Sequence, residues 1–225
     1  MCARKLNQYN GTLNAEQIAA GMNVAIRNAK RLADDAVLLL ENQRFCSAVA
    51  LAILSIEESG KLSILRMLAS ASSAEEAKPC WREYRSHTKK NVMAAFLDLF
   101  LEGARRLDQF SPLFDQAADH PHLIDQVKQI ALYTDCLGDA HWSEPQEVID
   151  EPLARNVVST ATLLAKDKEI TAREIELWIF HVGPHLYGDR EMAERGLATW
   201  YAEMQRHGLA PDGPNGMAAF INEGV

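Results

Sequence analysis

Cysteine is scarce and never paired: Cys2, Cys46, Cys80 and Cys136 stand far apart, with no Cys-x-x-Cys spacing among them. That speaks against a zinc finger and against a disulfide framework, and free thiols suit a reducing compartment. A glycine-rich phosphate loop is missing, so no nucleotide-loop enzyme is indicated. Glu-x-x-His is missing as well, which removes the di-iron reading that a helical bundle otherwise invites. The best apolar run, Ala48 to Ile56, is too short to span a bilayer, and the N-terminus from Met1 to Asn7 lacks the apolar stretch of a signal peptide. A cytoplasmic protein with no membrane association is expected. Positive charge is also in deficit: a net charge of −8 argues against a protein that coats nucleic acid non-specifically, because such binding rests on neutralising many phosphates.

What is present is helical periodicity over 225 residues, enough chain to bury a proper core. From Asn14 to about Glu41, apolar residues recur at Ile18, Met22, Ala25, Ala29, Leu32, Ala36 and Leu39, in steps of four and three. Asn14 with Gln17 reads as a capping box. A second helix, from about Arg44 to Leu68, carries Phe45, Val49, Ile53, Ile56 and Gly60 on one side and Leu51, Leu54, Leu62 and Leu65 on another. Two apolar sides place it between neighbours, antiparallel to the first helix across a turn at Asn42 and Gln43. Ser73-Ala-Glu-Glu76 opens a short helix that Pro79 is expected to interrupt or restart. Val92, Phe96, Leu99, Gly103 and Leu107 define a third long helix, whose N-terminus would favour a phosphate. Further helices are expected from Pro121 to about Cys136, Pro152 to Lys166, Ala172 to Val182 behind Thr171-Ala-Arg-Glu174, and Arg190 to His207. The stretch from Leu137 to Pro145 reads as a connector, the tail from Gly208 as mobile, and no strand pattern is apparent. The expected division is a helical domain over 1–150 and a C-terminal helical extension over 151–225 packed on it.

The chemically loaded stretch lies between Lys78 and Lys90, where Lys78, Arg82, Arg85, Lys89 and Lys90 face one acid, Glu83. Within it, Arg82 and His87 stand five positions apart. On a continuous helix that turns the side chains about 140° from each other, so they would converge best at a helix start or across a dimer seam. A histidine can move a proton from a ribose 2′-hydroxyl while an arginine fork holds the phosphate. In the second helix, Glu57, Glu58 and Lys61 lie within one turn. Buried charges need partners, so a structural ion pair is expected for at least one acid, and Glu58 or Lys61 is expected to reach the basic cluster. The histidines suggest no metal. His120 and His122 beside Asp119 lack a remote partner, and Gly183-Pro184 splits His181 from His185. Tyr133-Thr-Asp135 and Trp142-Ser-Glu-Pro145 read as a loop pinned by buried aromatics.

Taken in order, Asp34-Asp35-Ala36, the Ile-Glu-Glu-x-Gly-Lys core ending at Lys61, Arg82-x4-His87-x-x-Lys90, Leu132-Tyr-x-Asp135 and Trp142-x-x-Pro145 resemble the AbiV abortive-infection proteins of the HEPN superfamily, over roughly Ala29 to Ile149. The resemblance implies an all-α, HEPN-like antiparallel helical bundle with additional C-terminal helices. It also implies a homodimer and, as in many relatives, a metal-independent endoribonuclease with Arg82 and His87 lining a cleft at the dimer seam. Arg85, Lys89 and Lys90 would then guide RNA, and Glu57, Glu58 and Lys61 would support the site. The expected function is phage defence by cutting cellular RNA to halt translation or growth, without a cofactor, under a phage-protein activator or an antitoxin. The rival from another class is a non-catalytic dimer that binds a phage or translation-related protein. A small-molecule enzyme with a pocket inside the bundle has no motif behind it.

Overall fold

The computed structural model describes residues 7–86, 99, 104–106, 109, 120–165, 167–186 and 188–223. Among the described residues the chain is all-α apart from one small hairpin. Helix α1 spans Ala15–Glu41 and α2 spans Phe45–Ala69. Asn14 and Gln17 close the expected capping box, each side chain bonding the other's backbone N–H at 2.8 and 3.0 Å. The turn between the helices sets Gln43 at a φ of 58°, in the left-handed region. The two helices are antiparallel. Ile18 and Met22 meet Leu65 and Leu68 at one end, and Ala33 and Ala36 meet Ala48 and Ala52 at the other.

Helix α2 is the axis, as its two apolar sides predict. Helices α3 (Ala74–Arg85), α4 (His120–Leu132) and α6 (Glu151–Leu164) all pack on it, the last reached through a short α5 (Pro145–Val148). Alanines at 48, 52, 154 and 161 let these backbones approach closely, and Ser55 settles its hydroxyl on the Ala29 carbonyl at 2.7 Å. Helix α7 (Ala172–His181), a 3-10 turn (Gly183–His185), α8 (Arg190–Arg206) and α9 (Gly216–Asn222) complete the chain. The link into α7 is sewn to α1: Asn23 donates to the Ile170 carbonyl at 2.9 Å and accepts from its N–H at 2.8 Å.

Several expectations are corrected. Pro79 does not interrupt α3, which runs through it. Pro79 is exposed, while Ala77, Cys80 and Trp81 are buried in the core on the other side, so burial outweighs one lost backbone bond. The fourth helix stops at Leu132 rather than Cys136, and the supposed connector is a hairpin. Strands β1 (Asp135–Leu137) and β2 (His141–Ser143) pair antiparallel, Cys136 opposite Trp142, around Gly138 and Ala140 at φ values of 51° and 63°. The tail beyond Gly208 folds: Gln205 donates to the carbonyls of Pro211 and Gly213 at 2.9 and 3.1 Å, and Asn215 caps α9 while bonding the Ala198 carbonyl at 2.8 Å. Of the third long helix expected around Val92 to Leu107, Leu99 is helical, but Ala104, Arg105 and Arg106 are not, so the helix does not reach Leu107; its other residues lie outside the described ones. Among the described residues, no helix is long and apolar enough to cross a membrane.

Candidate nucleic-acid interface

Helix α3 carries the basic cluster. Ser73 caps it by accepting from the Glu76 N–H at 3.2 Å. Glu76 turns back to Ser72 instead of Ser73, taking its N–H at 2.8 Å and its hydroxyl at 2.9 Å; the N–H foremost, then the hydroxyl, hold this carboxyl below the usual carboxylate range. Ala77, Cys80, Trp81 and Tyr84, at helical spacing, turn to the core. Lys78, Arg82 and Arg85 follow steps of four and three on another face, with Lys78 and Arg82 exposed.

Arg82 makes no ion pair or hydrogen bond among the described residues. Several other helical arginines meet acids one turn away, as Arg31 does with Asp35, Arg155 with Glu151 and Arg195 with Glu191. The corresponding neighbours of Arg82 are Lys78, Pro79, Arg85 and Ser86. Its guanidinium is thus left free by the sequence around it.

Arg85 is engaged. Its guanidinium lies 5.1 Å from the centroid of the Trp81 ring, donates to Asn10 Oδ1 at 2.6 Å and also donates to the Tyr9 carbonyl. Trp81 donates to the Gly11 carbonyl at 2.8 Å and meets Tyr9 edge-on at 6.1 Å. Helix α3 therefore clasps residues 9–11, a role for Arg85 that its place in the basic run did not reveal. The only legible signal was Trp81 followed by Tyr84, two aromatics one turn apart inside a charged segment.

The acids of α2 divide. Glu58 pairs with Lys61 at 2.5 Å, and the Lys61 ammonium sits 5.0 Å from the centre of the Tyr84 ring, which brings this pair to the back of α3. Glu57 faces away, with its side chain 3% exposed, and pairs at 2.6 Å with Lys128 of α4, 6% exposed. Asp125 joins Lys128 at 2.8 Å. Burial alone would push the Lys128 ammonium down, but Asp125 and Glu57 outweigh it and hold its pKa above the ordinary lysine value. His87, Lys89 and Lys90 lie outside the described residues, as does the helix N-terminus expected after them.

The remaining groups fall elsewhere. Tyr133 and Trp142 are 61% and 69% exposed, so they do not pin the hairpin as buried anchors; Ser143 does so by bonding the Asp135 backbone. Cys80 is buried, and burial, helped by Glu83, pushes its thiol pKa up. Among the described residues, no three His, Cys, Asp or Glu side chains gather as a metal-holding group.

Neither the curated proteins nor the solved structures provide a match. The family model for AbiV, within the HEPN group, matches residues 17–166, a span that holds α1 to α3, the whole basic cluster, the hairpin and α6. With two thirds of its length in that match, the chain belongs to the AbiV family of HEPN proteins, a family tied to abortive infection and phage defence.

Proposed function

We propose that this protein defends against phage as a metal-independent endoribonuclease, working as a homodimer in the cytoplasm. The observation that carries the proposal is the free, solvent-facing guanidinium of Arg82, on the same face as Lys78 in an otherwise acidic chain. By contrast Arg66, half-buried within the fold, is held by Glu174 at 3.0 Å. In the proposed reaction, His87 takes the proton of a ribose 2′-hydroxyl, the oxygen attacks the adjacent phosphorus, and the bond to the 5′-oxygen breaks. A proton returns to that oxygen, leaving a 2′,3′-cyclic phosphate and a 5′-hydroxyl. Arg82 holds the phosphate and its growing charge. Lys78, Lys89 and Lys90 draw the backbone in, and Glu58 with Lys61 fixes α3 through Tyr84. Two copies of the segment side by side would concentrate enough positive charge to offset the acidic remainder.

The test is cleavage of total cellular RNA and tRNA in EDTA by wild type, His87→Ala and Arg82→Ala, after circular dichroism shows that all three fold alike. Cutting by wild type that each substitution lowers at least about a hundredfold is the expected result. The absence of cutting by any of the three, with infected-cell extract added, would overturn it. A second reading, a non-catalytic protein that captures a phage or translation-related protein, is supported by the exposed side chains of Leu137 and Trp142 on the hairpin and of Tyr133 just before it. It becomes the favoured one if that outcome is observed.

A further inference from the structure

The helices beyond the family match line an open-sided cavity of about 630 Å³ against the C-terminal half of α2. That is the size of small-molecule sites, which run from about 300 to 1,000 Å³. Its walls are apolar, supplied by Met67, Val182, Leu186, Leu197 and Met217. The space is preformed because its frame is fixed on several sides. Trp178 donates to the Arg66 carbonyl at 3.0 Å and Trp200 to the Glu174 carbonyl at 3.5 Å. The two indoles meet edge to face at 5.4 Å. Helix α8 already touches α7 through Gly196, where an added Cβ would lie only 2.4 Å from the His181 carbonyl oxygen, so these helices have no closer approach open to them.

Two arginines border this apolar space, Arg66 and Arg190. Arg66 lies 5.6 Å from the Trp178 ring centre and 5.8 Å from that of Trp200. Among the described residues Arg66 gives a single side-chain hydrogen bond, from Nη2 to Glu174 at 3.0 Å, and its buried Nε has no acceptor. Lys168 approaches the same Glu174 carboxylate at 3.5 Å, so two cations share one anion. At the rim, Arg190 and Glu194 pair with each other at 2.8 Å and add no net charge. The result is a preformed apolar space with one unit of uncompensated positive charge and a guanidinium short of acceptors. Buried donors without acceptors are costly, and an acidic oxygen is the group that relieves this one.

We infer that the cavity is a binding site for a small amphiphilic acid, a molecule with one carboxylate or phosphate on an apolar body of roughly ten non-hydrogen atoms. The acid group pairs with Arg66, and the apolar body lies along Leu186, Leu197 and Met217. The inference stands apart from the RNase reading, since it uses none of the α3 residues.

Isothermal titration of the full chain with octanoate, octyl phosphate and octanol tests it. Submillimolar binding of at least one acid, with octanol weaker by roughly tenfold or more, is expected. A preference between the acids identifies the head group. Arg66→Met should abolish the discrimination between acid and alcohol. Because that change strips Glu174 of a partner and can cost folding, Ala193→Phe is the second variant: it puts a phenyl ring into the cavity without touching a charge and should weaken binding of the acid by roughly tenfold or more. No binding of either acid, equal binding of octanol, or undiminished binding by Ala193→Phe would each overturn the inference.

Discussion

Where α6 crosses α1 and α2 the interior is lined largely by alanine and β-branched residues, with Ala33, Ala36, Ala48, Ala52, Ala154 and Ala161 fully shielded. Between α7 and α9 it is lined by Trp178, Trp200, Met204, Tyr201 and Met217. Small side chains bring backbones together and leave no room between them. Large ones hold helices apart, and where their ring nitrogens are tied to backbone carbonyls they cannot fall inward to fill the gap. The bundle around α2 is therefore drawn tight at these crossings, with the Glu57–Lys128 pair buried in it, and the C-terminal part keeps a cavity.

The comparison can be broken most severely at that ion pair. Lys128→Met takes this partner from the buried Glu57 carboxylate and should cost about 3 to 5 kcal/mol, measured by urea unfolding, with much of the loss recovered in the Glu57→Gln, Lys128→Met double variant. The same pair sets a pH dependence. The folded-state pKa of Lys128 is raised, so its contribution is fully present below the ordinary lysine value near 10.4 and is lost as pH rises through the folded value. The wild-type melting temperature should therefore fall above about pH 10.5 more steeply than that of Lys128→Met.

Truncations of equal chemistry sharpen the contrast. Ile53→Ala, in the closed bundle at 1% exposure, should cost about 2 to 4 kcal/mol, whereas Leu197→Ala, already bordering empty space, should cost under about 1.5. The smallest effect is a labelling rate. In a chain with Cys2, Cys46 and Cys136 replaced by serine, Cys80 should resist a disulfide reagent at pH 8 until denatured, because burial raises its pKa and blocks access. Ala193→Cys in that background should react within minutes.

The long helices were legible because their apolar residues keep helical spacing and their caps are local: Asn14 with Gln17 and Thr171 with Glu174 decide their helix starts within four residues. What was not legible came from outside the local window. The Glu174 carboxylate leaves its cap for Arg66 and Lys168, and Glu57 finds Lys128 across 71 positions of sequence. Pro79 looked like a break because propensity says nothing of the three neighbours buried beside it. The hairpin was hidden because its strands are three residues each and its aromatics are exposed, so no alternation of buried and open positions marks it. At the candidate site, the free state of Arg82 could be read from its cationic and neutral neighbours at helical spacing. The engagement of Arg85 by Tyr9 and Asn10 could not, since nothing in residues 7–13 announces a clasp.

The two hydrogen bonds between Asn23 and Ile170 span 147 positions. Closing so long a loop is entropically slow, and neither bond can form until the ribosome has released everything from α1 to the start of α7. Docking of the C-terminal helices is therefore a late event in the life of each newly made chain, and a nascent bundle waits with the outer flank of α2 exposed until that stitch is made.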